Sequence, residues 1–127
     1  MIIGIGTDIV TVARIEAAVV RHGKAFAERI LSAQELSEYN AHSNPSRYLS
    51  KRFAAKEALA KATGQGLRHP VTLRRITVSH DELGKPAFLF DAELSAYLQK
   101  LGVTRHYLSL SDERETALAF VILEGDL

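Results

Sequence analysis

Asn44-Pro45-Ser46-Arg47-Tyr48-Leu49-Ser50-Lys51-Arg52-Phe53-Ala54-Ala55-Lys56-Glu57-Ala58-Leu59-Ala60-Lys61-Ala62-Thr63-Gly64 is the stretch that organises this chain. Asn44 is a good N-cap, Pro45 suits the first helical position, and Gly64 sits where the residue after a C-cap belongs. Residues 45–63 hold no Gly and only the opening Pro, and they are rich in Ala, Lys, Arg and Leu. That predicts one long helix. At about 100° per residue, Leu49, Phe53, Glu57 and Ala60 fall along one face. Glu57 therefore borders an apolar stripe, and Lys61 follows one turn later in the favourable Glu-to-Lys spacing.

Upstream, residues 2–8 read as a short buried strand ending at Asp8, in which Gly4 and Gly6 signal close approach of another backbone or a ligand. A helix over 11–22 follows, stopped by Gly23, then a short apolar helix carrying Phe26 and Ile30. Ser32-Ala33-Gln34-Glu35 is a capping box opening a helix near 33–41. Downstream of Gly64, residues 72–79 are β-branched, Gly84-Lys85-Pro86 turns the chain, and 87–90 form a second strand. Asp91 caps a helix that buries Leu94, Tyr97, Leu98 and Leu101, and Gly102 closes it. Strands at 105–111 and 116–123 flank Asp112-Glu113-Arg114-Glu115 as a hairpin. The order predicts an α+β fold, a long central helix packed on a largely antiparallel sheet, in a single domain spanning 1–127.

Composition removes several classes of chemistry. The 127 residues include no cysteine, which excludes disulfides, thiolate zinc sites and cysteine nucleophiles. The five histidines show no zinc-binding spacing. GxGxxG fails because position 9 is Ile, no Walker pattern occurs, and Ser79-His80-Asp81 lacks the elbow of a serine hydrolase. No targeting segment and no apolar run of membrane-spanning length is evident, so a cytoplasmic protein is expected, with no membrane partner. Few aromatics and no Trp argue against nucleic acid.

Charge is polarised along the chain. Residues 1–75 carry twelve Lys+Arg against six Asp+Glu, while residues 76–127 carry four against nine. The basic half implies an anionic partner or a merely polarised surface. Asp8 is either a helix cap or a hard oxygen ligand for magnesium. Glu57 is either half of a surface pair with Lys61 or a second ligand. Set beside Arg47, Lys51, Arg52, Lys56 and Lys61, two carboxylates make a combination suited to phosphoryl transfer: carboxylates for a divalent ion, cations for the remaining phosphate charge.

The motifs together resemble the 4′-phosphopantetheinyl transferases, and among them the short single-domain bacterial branch that modifies acyl carrier proteins. The resemblance rests on Gly4-Ile5-Gly6-Thr7-Asp8-Ile9-Val10, Arg14-Ile15, Arg29-Ile30-Leu31-Ser32 and Arg52-Phe53-Ala54-Ala55-Lys56-Glu57-Ala58 with Lys61. Gly84-Lys85-Pro86 and His106-Tyr107-Leu108-Ser109-Leu110-Ser111-Asp112 complete it, in the family's order over nearly the whole chain. The tail departs at Asp112, where many relatives carry His. The resemblance implies transfer of 4′-phosphopantetheine from coenzyme A to a serine of apo acyl carrier protein, as in fatty acid biosynthesis, releasing adenosine 3′,5′-bisphosphate. It implies Asp8 and Glu57 as magnesium ligands, Glu57 and Lys61 as catalytic groups, and Arg52, Lys61 and His106 as coenzyme A contacts. Arg14, Arg21 and Lys24 on and after the first helix would dock the acidic carrier. It also implies a homotrimer with active sites between subunits. The alternatives are a related transferase for a polyketide or peptide carrier, or a non-catalytic basic module binding an acidic partner.

Overall fold

The computed structural model describes residues 1–127. Five strands and five α-helices alternate as β1 (Ile2–Thr11), α1 (Val12–His22), α2 (Lys24–Ile30), α3 (Ala33–Ala41), α4 (Pro45–Ala62), β2 (Ile76–His80), β3 (Pro86–Phe90), α5 (Ala92–Lys100), β4 (Arg105–Asp112) and β5 (Thr116–Glu124). All pairings are antiparallel, but they form two sheets where the sequence pattern had implied one. A three-stranded sheet runs β1-β5-β4, and β2 and β3 pair as a separate ribbon. No helix is long and apolar enough to cross a membrane.

The capping signals in the sequence are realised as hydrogen bonds. The Asn44 side chain accepts from Arg47 N, the Asp91 side chain accepts from Leu94 N, and both halves of the Ser32/Glu35 capping box form. Gly64, just past α4, takes a φ of +83°, a conformation that costs a residue with a Cβ. β2 begins at Ile76, because Leu73–Arg75 closes into a single 3₁₀ turn.

β1 is longer than its apolar pattern indicates. Its last residues keep pairing with β5, Asp8 opposite Ala119 and Thr11 opposite Thr116. Asp8 is thus inside a strand and does not cap a helix. The N-cap of α1 is Thr11, whose side chain makes no capping bond.

The core forms where α4 lies on the inner face of β1 and β5. Val10, Ala119, Val121 and Leu123 of the sheet are buried with Ala54, Ala55, Ala58, Leu59 and Ala62 of the helix. Gly4 and Gly6 explain how close the two come. A Cβ at Gly4 would lie 1.9 Å from the Ala62 carbonyl oxygen, and one at Gly6 would lie 2.0 Å from that of Ala58. The neighbour anticipated from the paired glycines is therefore the α4 backbone, and small residues on α4 meet it.

The helix itself is not amphipathic in the simple sense. Tyr48, Leu49, Ser50, Arg52, Ala54, Ala55, Lys56, Ala58, Leu59, Ala60 and Ala62 are all buried, so α4 is enclosed on most sides. A single apolar stripe bordered by a cationic surface does not describe it.

Candidate active site

Close approach of α4 to the glycines sets up the first group of functional side chains. Side chains alternate across a strand, so Gly4, Gly6 and Asp8 share the face of β1 that meets the helix. Asp8 is the first of the three able to reach out with a functional group. Lys61 Nζ lies 3.0 Å from Asp8 Oδ1 and also donates to the Thr7 carbonyl at 3.0 Å. Lys61 therefore pairs across elements with Asp8, and the Glu57–Lys61 surface pair that the spacing allowed is not formed.

Glu57 makes no hydrogen bond or ion pair of its own. Its carboxyl pKa is raised, first by partial burial and then by the Asp8 charge, while Lys61 and Arg14 oppose the shift. Of the two carboxylates at the junction of β1 and α4, Asp8 is thus paired with Lys61 while Glu57 is left without a partner.

Magnesium is bound by one or two carboxylates, its shell being filled by water and substrate phosphate. Asp8 and Glu57 supply that donor set, and the like-charge strain on Glu57 is what a cation between them would relieve. No cluster of three or more His, Asp or Glu exists to build a closed all-protein site. The residues therefore fit an open magnesium site completed by a phosphorylated ligand.

A second group lies on another side of α4. Arg52 and Glu57 are five residues apart, a rotation of about 140°, and Arg52 turns inward. Its guanidinium stacks 3.8 Å over the Tyr48 ring and its Nη2 lies 3.9 Å from Glu38 Oε1. A cleft of about 460 Å³ is lined by Ser79, His80, Lys85, Pro86, His106 and Tyr107 among others. Arg52 and Lys51 both depress the pKa of His80, after burial. His106 is held as a neutral ring: its Nε2 accepts from Phe88 N at 3.0 Å, its ring packs on Phe88 and Phe90, and burial lowers its pKa.

Within one chain, then, Asp8, Glu57 and Lys61 come together with Arg14 near enough to be felt. His106 lines the cleft instead, and Arg52, outside its lining, is close enough to act on the cleft's His80.

The fold that carries these groups has known counterparts. The model of the 4′-phosphopantetheinyl transferase superfamily matches residues 4–121. The chain belongs to that superfamily. It is similar to a protein named holo-[acyl-carrier-protein] synthase from Laribacter hongkongensis, 55% identical over 125 residues that cover 98% of this chain and all of the relative. The crystal structure of holo-[acyl-carrier-protein] synthase from Neisseria meningitidis superposes with a TM-score of 0.96 at 52% identity, covering 98% of this chain and 99% of the other. That of a holo-(acyl-carrier-protein) synthase from Bacillus anthracis in complex with CoA (3′,5′-ADP) superposes with a TM-score of 0.83 at 34% identity, covering 99% of each chain. As the α+β fold and the family motifs indicated, the protein is a phosphopantetheinyl transferase.

The cations of α4 divide within this transferase. Lys56 is not part of any phosphate-facing surface: it is fully buried, its Nζ donating to Glu35 Oε1 at 2.5 Å, to Ile30 O at 2.7 Å and to Leu73 O at 3.1 Å. Arg47 clamps the β4–β5 hairpin, donating to Asp112 Oδ2 at 2.7 Å and to the carbonyls of Glu113 and Arg114. Asp112, the departure from the family's tail motif, is thus an anchor for that clamp, with Lys51 at 3.8 Å on its other oxygen.

Arg14, Arg21 and Lys24 are exposed and form no ion pair. Sequence reasoning missed Tyr48 and Glu38 beside Arg52. The i,i+4 spacing of Tyr48 and Arg52 was a usable signal for the first. Glu38 lies on another helix and gave none.

Proposed function

We propose that this transferase, acting as one domain, moves the 4′-phosphopantetheine of coenzyme A to a serine of apo acyl carrier protein and releases adenosine 3′,5′-bisphosphate. The observation that carries the reading is the juxtaposition of Asp8, Glu57 and Lys61 at the junction of β1 and α4. The carrier's serine oxygen attacks the phosphorus that bears the pantetheine arm. The bond to the bridging oxygen of the pyrophosphate breaks, and its electron pair leaves with the nucleotide. Asp8 and Glu57 would hold magnesium, which when bound neutralises pyrophosphate charge as a Lewis acid. Glu57 accepts the serine proton as general base. Lys61, tied to Asp8 before substrate arrives, neutralises charge growing on the leaving phosphate.

Arg52 and His106 contact coenzyme A from the cleft side. Arg52 supplies a permanent charge, and His106 serves through its shape and its free ring nitrogen. Arg14, Arg21 and Lys24 receive the acidic carrier, and Arg14 continues the positive potential up to Glu57.

A homotrimer is supported by the outer face of the main sheet, where Ile5 and Ile9 are 59% and 64% exposed and Leu118 is exposed beside them. A second copy packed there would cover this apolar surface. The family resemblance implies that such packing places the active sites between neighbouring subunits. We place the enzyme in the cytoplasm with fatty acid synthesis, and assign it no nucleic-acid or membrane partner.

The decisive experiment is intact-mass spectrometry of an apo acyl carrier protein after incubation with this protein and coenzyme A. A gain of one phosphopantetheine with magnesium, absent with excess EDTA and with the Glu57→Gln variant, is expected. No gain on several folded carriers, despite bound coenzyme A, would refute the reading.

A further inference from the structure

Arg52 is an unusual place to keep a phosphate-binding charge. Its side chain is only 8% exposed, and its Nε is buried without a hydrogen-bond partner. A buried guanidinium donor left without a partner is costly, and the charge is retained in spite of that cost.

What fixes it is visible on two sides. The Tyr48 ring lies under the guanidinium at 3.8 Å, one turn back on α4. Tyr48 is itself held: its hydroxyl donates to Glu38 Oε1 at 2.6 Å and contacts the Glu35 carbonyl at 3.2 Å, and His42 and Tyr39 flank its ring. The same Glu38 oxygen faces Arg52 Nη2 at 3.9 Å. One carboxylate on α3 thus anchors both the stacking ring and the charge it carries. All three residues lie outside the lining of the cleft, and Arg52 reaches it through the charge felt at His80.

We propose that Tyr48 and Glu38 are positioning residues: the ring and the carboxylate hold the Arg52 guanidinium in a fixed orientation toward a phosphate of coenzyme A. This rests on the reading of Arg52 as a coenzyme A contact. The ring holds the plane of the guanidinium and the carboxylate holds its Nη2, so a rotation of the Arg52 side chain gives up one contact or both. The orientation is therefore set before ligand arrives, which reduces the entropy lost on binding.

The brace and a merely peripheral acid predict opposite signs. Removing a carboxylate near a phosphate site relieves repulsion, so a peripheral Glu38 would leave coenzyme A affinity unchanged or improved when replaced. If Glu38 is the brace, replacement loosens Arg52 and affinity falls. His80 offers a second reading of the same event, because Arg52 lowers its pKa and Glu38 raises it. Loss of Glu38 alone moves the His80 titration down. Loss of Glu38 followed by withdrawal of Arg52 moves it up.

The experiment compares Glu38→Gln, Glu38→Ala, Tyr48→Phe and Arg52→Gln with the parent protein. Calorimetry gives the coenzyme A Kd, steady-state assays give kcat and KM, and NMR gives the His80 titration. Glu38 is half-exposed, so its variants retain the fold, and thermal melting checks this. The Glu38 variants should weaken coenzyme A binding about three- to tenfold, raise its KM similarly and leave kcat within about twofold, with His80 titrating higher. Tyr48→Phe keeps the ring and should lose less. Combined with Glu38→Gln it should cost no more than Glu38→Gln alone, since both act through one carboxylate. If Arg52→Gln weakens coenzyme A but the Glu38 variants do not, or His80 moves down in them, the brace is overturned while the contact stands. If Arg52→Gln leaves coenzyme A affinity intact, the contact itself fails and the proposal with it.

Discussion

Lys56 and Lys61 stand five residues apart on one helix, and each pairs with a carboxylate from another element. Lys56 and Glu35 are both fully enclosed, whereas Lys61 is 54% exposed above Asp8. The buried pair is saturated with partners. Glu35 also accepts from Val78 N and Ser32 N, and Lys56 also reaches the carbonyls of Ile30 and Leu73. Five segments are thereby joined at one point, and the Lys56 pKa is still lowered, since burial outweighs the Glu35 charge. The outer pair leaves oxygens open and has an unpartnered carboxylate, Glu57, beside it. A satisfied pair fixes structure, whereas an unsatisfied one is available to a ligand.

The largest effect should come from exchanging the consequences of the two lysines. Lys56→Met strands a buried carboxylate and should cost about 3–5 kcal/mol of stability in a denaturant titration. Lys61→Met should change stability by no more than about 1 kcal/mol yet reduce turnover by roughly a hundredfold or more. Equal stability losses would break the comparison.

The contact that brings Asp8 to α4 can be tested next. Gly6→Ala forces a Cβ against the Ala58 carbonyl and should cost about 1–3 kcal/mol or more. Turnover should fall beyond what the unfolded fraction explains, because Asp8 moves with its strand. Full turnover per folded molecule would mean the spacing of β1 and α4 does not set the site.

A smaller and more discriminating effect concerns Glu57. Its folded pKa lies above the unfolded one, so the stability tied to its protonated form is full below the unfolded value and is lost as pH rises through the folded value. Glu57→Gln should therefore raise the melting temperature slightly at neutral pH without divalent ions, and not at pH 3. Magnesium should raise the melting temperature of the parent but not of the variant. The reverse order would remove Glu57 from the ion site.

His106 runs in the opposite sense. Its folded pKa is depressed by burial, so its contribution is present above the unfolded pKa and is lost as pH falls below it. Stability should drop from pH 7 to pH 5, and His106→Gln should flatten that drop in a melting series.

The smallest change expected is at the rim. Arg14→Glu should raise the KM for the carrier several-fold at low salt, with the difference shrinking as salt is added and coenzyme A affinity nearly unchanged. An unaltered KM would take the first helix out of carrier docking.

Local rules made much of this protein legible in its sequence. Asn44, Pro45 and Gly64 delimited α4 to within a residue. Ser32 with Glu35, and Asp91, announced helix starts, because a cap is made with groups only a few residues away. The two glycines of β1 announced a close neighbour, since only a missing Cβ allows one. Asp8, Glu57 and Lys61 could be named together because family motifs mark them, and tertiary structure brought them within reach.

Fold-dependent properties were not legible. Arg47, Arg52, Lys56 and Lys61 look alike in sequence, and neighbours from α3, the 3₁₀ turn, β1 and β4–β5 decided which became a clamp, a stacked charge, a pin or an exposed ammonium over Asp8. Asp8 looked like a strand end because its partners on β5 lie more than a hundred residues away. The sequence by itself determined which segments become helices or strands and which residue types carry chemistry, since those depend on backbone preferences and nearest neighbours. Tertiary structure alone decided which charges are dry or wet and which carboxylate lacks a partner, because desolvation and pairing are set by atoms distant in sequence and adjacent in space.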